Sequence, residues 1–152
     1  MQKLNLPFYK FKLRNNGLKE EIFDCIRKKF VTLTPEEWVR QNFIMYLVNE
    51  KKVPASLICV EYTINYNRMV KRTDITIFGP YGNPVLIVEC KAANVVITQE
   101  NFEQIAIYNA TLKVPYLIVT NGLTHYCCYI DHLNGNIKFL NDIPIYSNII
   151  KT

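Results

Sequence analysis

The chain has 152 residues, enough for one domain with a buried core, and its 49% hydrophobic content excludes an intrinsically disordered chain. The 18 basic and 13 acidic residues give a net charge of +5, which suits an anionic partner such as nucleic acid but is common among proteins that bind none. No apolar run approaches the about 20 residues of a membrane span, and the amino terminus lacks a secretory signal, so we expect a cytoplasmic protein without membrane contact.

The first 33 residues are predicted to form an amino-terminal extension with the character of a β-ribbon. Residues 8–13 alternate in the manner of a strand, and Asn15, Asn16 and Gly17 are typical of a turn. Residues 22–30 then form either the returning strand or a short helix. We expect this extension to serve in dimerisation or in DNA binding.

A first helix is predicted over residues 35–50. Thr34 has the residue type of an N-cap, Pro35 suits the first helical position, and Glu37 completes a capping box. Pro54 prevents the helix from continuing. The expected buried face consists of Val39, Phe43, Tyr46 and Leu47.

Three strands are predicted next, over residues 57–66, 73–78 and 84–91. The short segment from Gly79 to Asn83 favours a hairpin between the second and third of them. A second helix is expected over residues 98–113, with Thr98 as its N-cap. Strands over residues 115–120 and 124–131, and a short strand that ends near Leu140, complete the chain.

This order of elements predicts an α/β fold, a mixed central β-sheet flanked by helices. A helix between residues 91 and 115 is long enough to connect two parallel strands. We divide the single domain, residues 1–152, into the extension (1–33), a core (34–131) and a carboxy-terminal strand and tail (132–152). Its five cysteines include no CxxC pair, which favours free thiols in the core over a zinc site.

The residues that could carry chemistry lie on the predicted hairpin. Antiparallel pairing about its turn places Asp74 beside Glu89, within reach of one metal ion. Two adjacent carboxylates repel unless a cation neutralises them, and Mg²⁺ prefers such oxygen ligands. Lys91 lies two residues after Glu89 on the same face of the strand, where it can orient a water and offset negative charge.

Each of these residues also has a structural interpretation. Glu89 and Lys91 can form a surface ion pair worth about 0–1 kcal/mol, and this interpretation weakens only because Asp74 falls opposite them. Glu37 is explained equally by the capping box.

The same residues resemble a known family. Asp74 followed by Glu89-Cys90-Lys91 is similar to the core motif of the PD-(D/E)xK nucleases, with Thr73 before the aspartate where that motif often has proline. The segments TPEEWVRQ (34–41), VECKA (88–92), QIAIY (104–108) and VPYLIVTNG (114–122) resemble the nuclease domain at the amino end of type I restriction enzyme R subunits. The similarity covers about residues 34–131.

The resemblance implies a restriction-endonuclease-like core and a role for each matching residue. Asp74, Glu89 and the backbone carbonyl of Cys90 would bind Mg²⁺, with Mn²⁺ as a substitute, and Lys91 would be the catalytic lysine. Glu37 would act in the site directly or through a metal-bound water. Site support or DNA contact is expected of five further residues: Gln104, Tyr108, Lys71, Arg72 and Arg40. For Tyr108, a place in the helix–sheet interface is the alternative.

The function expected from the sequence is therefore a metal-dependent endonuclease that hydrolyses DNA phosphodiester bonds. A catalytically silent module that binds nucleic acid or a protein partner is the alternative, and a structural metal site is a third. No GxxxxGK[ST] loop occurs, so we expect no ATP site in this chain. The expected partners are DNA, a separate motor or methyltransferase subunit, and a second copy of the chain.

Overall fold

The computed structural model describes residues 1–151 and begins with a small antiparallel sheet. Its three strands are β1 (Leu13–Asn15), β2 (Glu20–Asp24) and β3 (Lys29–Thr32). The predicted turn after β1 is present: the Gly17 N–H donates to Asn15 Oδ1 over 2.8 Å, and Gly17 has a φ of 93°, which glycine adopts without strain. Residues 22–30 are thus a strand, a turn and the start of a third strand.

The first helix, α1 (Pro35–Asn49), begins where the sequence predicts. Thr34 Oγ1 accepts from the Glu37 N–H at 3.0 Å, which confirms the N-cap. The reciprocal half of the capping box is wrong, because the Thr34 N–H donates to the Thr32 carbonyl instead. Of the expected buried face, Val39, Phe43 and Leu47 are fully buried and Tyr46 is half-buried.

The predicted strand over residues 57–66 is wrong, because it is divided between two sheets. A 3₁₀ turn, Ala55–Leu57, leads into β4 (Ile58–Val60), and Glu61 then adopts a left-handed φ of 57°. A non-glycine residue in this conformation redirects the chain. The next two strands, β5 (Thr63–Tyr66) and β6 (Met69–Arg72), form a separate two-stranded hairpin.

The remaining elements follow the predicted order, except for a short helix in the carboxy-terminal tail that the sequence analysis does not predict. They are β7 (Ile75–Phe78), β8 (Pro84–Cys90), α2 (Gln99–Asn109) with a 3₁₀ turn (Ala110–Leu112), β9 (Tyr116–Thr120), β10 (His125–Asp131), β11 (Asn136–Leu140) and α3 (Tyr146–Ile149). Thr98 Oγ1 accepts from the Asn101 N–H at 3.1 Å and so caps α2 as expected.

The central sheet has six strands in the order β11-β10-β9-β8-β7-β4. β8 and β9 are parallel and are connected through α2, while all other neighbours are antiparallel. The predicted mixed sheet with flanking helices is confirmed.

Each face of the sheet has its own apolar core. Val39, Phe43 and Leu47 of α1 pack on Leu86 and Val88. The opposite face buries Phe102 and Ala106 of α2 against Ile87, Leu117 and Val119. β8 and β9 are therefore covered on both sides, which explains their near-continuous apolar sequences. Within residues 1–151, no helix combines the length and apolarity needed to cross a membrane.

Candidate functional site

The hairpin of β7 and β8 places Asp74 and Glu89 as neighbours. The register pairs Ile75 with Val88 and Thr76 with Ile87, so its extension by one residue brings Asp74 opposite Glu89. The two acids are close enough for the charge of Glu89 to raise the pKa of Asp74. The pairing expected from the turn length is thus present in the structure.

Asp74 lies at the start of β7, and its carboxylate continues the contact between the two strands. Asp74 Oδ2 accepts from the Cys90 N–H at 2.7 Å, and Arg40 Nη1 lies 3.4 Å from Oδ1. Burial raises the pKa of Asp74, the charge of Glu89 adds to this, and the Cys90 N–H, Arg40 and Lys91 oppose it without reversing it. Burial and the charge of Glu89 thus disfavour the ionised form of Asp74, which a bound cation would favour.

Glu89 is held by a different cation. Lys71 Nζ of β6 lies 2.6 Å from Glu89 Oε1, and only 18% and 15% of the two side chains are exposed. The same Lys71 ammonium lies 5.4 Å from the centre of the Tyr108 ring. Lys71 thus connects the β5–β6 hairpin, the end of β8 and α2 at one point.

Glu37 of α1 is the centre of a buried group of charges. Its carboxylate accepts from Arg27, Arg40 and Gln41 over 2.7 to 3.0 Å. Burial raises the pKa of Glu37, but these hydrogen bonds and charges outweigh it and the net shift is downward. Glu37 reaches Asp74 through Arg40, whose side chain is 9% exposed and contacts both acids. Its expected place in the metal site stays a prediction.

The amino-terminal sheet also reaches this group. Asp24, at the end of β2, is fully buried and accepts from the main chain and side chain of Arg27 and from Gln41 Nε2. Arg27 then extends to Glu37 and, at 3.4 Å, to Glu61. Sequence reasoning missed both Asp24 and Arg27, because nothing local relates the turn after β2 to a helix that begins ten residues later.

Glu36 was also missed, although it belongs to the same helical turn as Glu37. Burial and the charge of Asp74 raise the pKa of Glu36, while Arg40 and Lys91 lower it. Among residues 1–151 its carboxylate makes no hydrogen bond or ion pair. Glu36 therefore interacts electrostatically with Asp74 and Lys91 while both of its carboxylate oxygens stay available. The signal that could have found it is its position beside Glu37 in the motif.

Lys91 follows the end of β8 and is half-buried. Its main-chain N–H donates to the Thr120 carbonyl over 2.8 Å, so the parallel pairing with β9 fixes its backbone. Burial raises the pKa of both Asp74 and Glu36, and the charge of Lys91 opposes this shift at each acid, so Lys91 interacts electrostatically with both. Asp74, Glu89 and Lys91 thus lie at the same end of the β7–β8 hairpin, and their joint role in a metal site stays a prediction.

The remaining predicted residues lie on α2 and on β6. Gln104 and Tyr108 are exposed on α2, and Tyr108, at 49% exposure, is not part of the helix–sheet core. Arg72 is exposed and pairs with Glu61 over 2.8 Å. Of these three, Tyr108 reaches Glu89 through Lys71.

The donor set fits a hard divalent cation in kind. Two carboxylates and the main-chain carbonyl of Cys90 offer only oxygen, and Mg²⁺ is commonly held by one or two carboxylates with water completing its shell. In the part of the chain that the structure describes, no three His, Cys, Asp or Glu side chains are grouped as a metal site. The present partners of the two acids are Arg40 and Lys71.

Comparison with solved structures agrees with this architecture. A fragment of a proposed HsdR subunit of a type I restriction enzyme from Vibrio vulnificus YJ016 has a TM-score of 0.53 and 21% identity, covering 78% of this chain and 25% of that one. A proposed DUF820 nuclease from Anabaena variabilis ATCC 29413 has a TM-score of 0.50 and 9% identity, covering 87% of this chain and 84% of that one. At these identities the likeness shows a shared fold.

This chain spans about a quarter of the Vibrio chain. No curated protein matches the sequence. The family described as the type I restriction enzyme R protein N terminus matches residues 35–144, which contain α1, the Asp74–Glu89 hairpin, Lys91 and α2. The matched residues make up well over half of the chain and confirm the resemblance seen in the motifs. This chain belongs to the type I restriction enzyme R protein N terminus family.

Proposed function

We propose that the protein is a metal-dependent endonuclease that hydrolyses DNA phosphodiester bonds. The observation that carries the proposal is the position of Asp74, Glu89 and Lys91 at the same end of one hairpin, where burial and the charge of Glu89 raise the pKa of Asp74. Membership of the family and the shared fold support it. An acidic pair beside a lysine is difficult to explain in a surface that merely binds an anion.

Each residue of the candidate site would have its own role. Asp74, Glu89 and the Cys90 carbonyl would hold Mg²⁺, which supplies Lewis acidity toward the phosphate and a water of lowered pKa. Lys91 would orient the attacking water and offset the charge that develops on the phosphate. Glu36 would accept a hydrogen bond from that water. Arg40, which contacts both Asp74 and Glu37, would offset the repulsion between these two carboxylates. Hydrolysis forms a bond from the water oxygen to phosphorus and breaks the bond to the leaving sugar oxygen.

One observation favours a second candidate, a silent module that binds nucleic acid. Both acids already have cationic partners, Asp74 in Arg40 and Glu89 in Lys71, so the resting arrangement is neutralised without a metal. In either case DNA, and a separate motor or methyltransferase subunit, are the partners that we propose.

Nicking of supercoiled plasmid in Mg²⁺ or Mn²⁺ tests the proposal. The native chain should nick the plasmid, and Lys91→Met should lose about 100-fold or more in rate, the usual effect of losing a proton-transfer or charge-stabilising group. Asp74→Asn should lose both nicking and heat of Mn²⁺ binding in calorimetry. Lys138→Met, which removes the same charge from the exposed strand β11, is the control. If the native chain shifts DNA on a gel without cutting it in either metal, the silent module is correct.

A further inference from the structure

The β5–β6 hairpin stands apart from the central sheet. Within residues 1–151 its strands pair with each other and with no other strand. We refer to residues 62–73 as the β5–β6 ribbon. Two hydrogen bonds hold the two ends of the ribbon together: the N–H and the hydroxyl of Thr73 each donate to the Tyr62 carbonyl over 2.9 Å. Glu61 precedes the ribbon and Asp74 follows it, so it projects from the edge of the candidate site.

The ribbon has the charge of a surface that faces an anion. It contains Arg68, Lys71 and Arg72 and no aspartate or glutamate. Lys71 is turned inward to Glu89, and Arg72 is 68% exposed at the side chain. Arg68 is exposed and, among the described residues, its guanidinium has no hydrogen-bond or ion-pair partner. Arg68 is therefore free to contact a phosphate.

The two faces of the ribbon differ. Ile64 and Met69 pack into the core beneath α2, so the inner face anchors the ribbon. The outer face exposes the side chains of Thr63, Asn65, Val70 and Arg72. Hydroxyl, amide and guanidinium groups are the donors that contact sugar, phosphate and base edges. An anchored ribbon with a polar, cationic outer face is the shape that the major groove of duplex DNA accommodates.

The turn at the tip of the ribbon places Arg68 in an unfavourable backbone conformation. Asn67 and Arg68 have φ values of 46° and 68°, the left-handed pair of a two-residue hairpin turn. Asparagine tolerates this conformation, and glycine is favoured at the second position. Arginine there carries a conformational cost with no compensating contact in the structure. The exposed guanidinium of Arg68 thus occupies a turn position at which glycine would have the lower conformational cost.

We propose that the β5–β6 ribbon enters a groove of double-stranded DNA and that Arg68 at its tip contacts the DNA, which orients the duplex over Asp74 and Glu89. This inference rests on the proposed function for its substrate and adds which element of the chain contacts the DNA duplex. Single-stranded DNA has no groove for the ribbon, so it should bind more weakly.

Arg68→Gly provides a test in which DNA affinity should fall without any loss of stability. Glycine relieves the left-handed φ, so the melting temperature should be unchanged or higher. Affinity for a fluorescein-labelled 20-base-pair duplex, measured by anisotropy in EDTA, should fall about fivefold or more, and the slope of log K against log salt should fall by about 1. The same strand without its complement should bind the native chain more weakly than the duplex.

Lys52→Gly is the matched control. Lys52 is also exposed, also cationic and also in a left-handed conformation, with a φ of 59°, but it lies beyond the carboxyl end of α1, away from the site. Its loss should change duplex affinity by less than about twofold. Equal effects of Arg68→Gly and Lys52→Gly, equal affinity for single strand and duplex, or no DNA binding by the native chain would each overturn the inference. Duplex binding that depends on Arg68 without any nicking would refute the endonuclease and leave the ribbon's role intact.

Discussion

Lys71 is the residue whose contacts would compete most directly with a metal bound at the proposed site. Its ammonium occupies Glu89 Oε1 at 2.6 Å, a short charge-assisted contact between two side chains that are mostly buried. A cation that takes Glu89 Oε1 as a ligand would compete with Lys71 for that oxygen. The ammonium of Lys71 therefore offsets the negative charge of Glu89 in the structure without a metal.

We expect Lys71→Met to strengthen Mn²⁺ binding about tenfold, since it removes a competing charge-assisted contact of about 1.5 kcal/mol. Isothermal titration calorimetry measures this directly, and the same variant should bind duplex DNA more weakly. Lys138→Met, on exposed β11, removes an equal charge and should leave both affinities near the native values. Unchanged or weaker Mn²⁺ binding by Lys71→Met would show that Lys71 does not compete with the metal.

The amino-terminal sheet is an element whose place could not be inferred from its own sequence. Through Asp24 and Arg27 it completes the charged group around Glu37 at the start of α1. Arg27 contacts Asp24, Glu37 and Glu61, and 17% of its side chain is exposed. Removal of one member of such a group leaves the others buried without compensation.

Arg27→Ala should accordingly destabilise the fold by about 3 kcal/mol, measured by urea unfolding at pH 7. Arg14→Ala is the matched comparison: Arg14 is an arginine of the same sheet, paired with Glu21 over 2.7 Å, but 55% of its side chain is exposed. Its loss should cost less than about 1 kcal/mol. Similar losses for the two variants would mean that the Arg27 contacts do not tie the sheet to α1.

The molecule as a whole holds acids with opposite effects on its stability. Hydrogen bonds from Arg27 and Gln41 lower the pKa of Asp24 below its ordinary value of 3.8 despite burial, whereas burial and Glu89 raise the pKa of Asp74. Ionised Asp24 thus stabilises the fold above its unfolded pKa, and this contribution is lost as the pH falls through its lower folded pKa. Ionised Asp74 opposes folding above its raised pKa, and this penalty disappears as the pH falls.

The two aspartates should therefore respond oppositely to neutralisation. At pH 7 in metal-free buffer, Asp74→Asn should unfold at a higher temperature than the native chain, and Asp24→Asn should lose about 2 kcal/mol or more. Both differences should shrink as the pH is lowered from 5 toward 3, because Asp74 takes up its proton in the folded chain whereas Asp24 takes up its proton first in the unfolded chain. Thermal unfolding followed by circular dichroism across this range measures them. A destabilised Asp74→Asn would show that its contacts with Cys90 and Arg40 matter more than its raised pKa.

Local signals in the sequence predicted most of the central architecture. Thr34 and Thr98 cap their helices as expected, and the segment from Gly79 to Asn83 sets the register that brings Asp74 opposite Glu89. These features depend on residues close together in the chain. The β5–β6 ribbon was not predicted, because Arg68 occupies the turn position at which glycine would have indicated a hairpin.

The sequence by itself determined the helix starts, the order of elements and the juxtaposition of the two acids, since capping and turn geometry act over a few residues. Only the tertiary structure decided which charges surround those acids: Lys71 at Glu89, Arg40 between Glu37 and Asp74, and Arg27 reaching in from the amino-terminal sheet. The reason is that ion pairs form between side chains that the packing of separate elements brings together, and no local pattern encodes that distance.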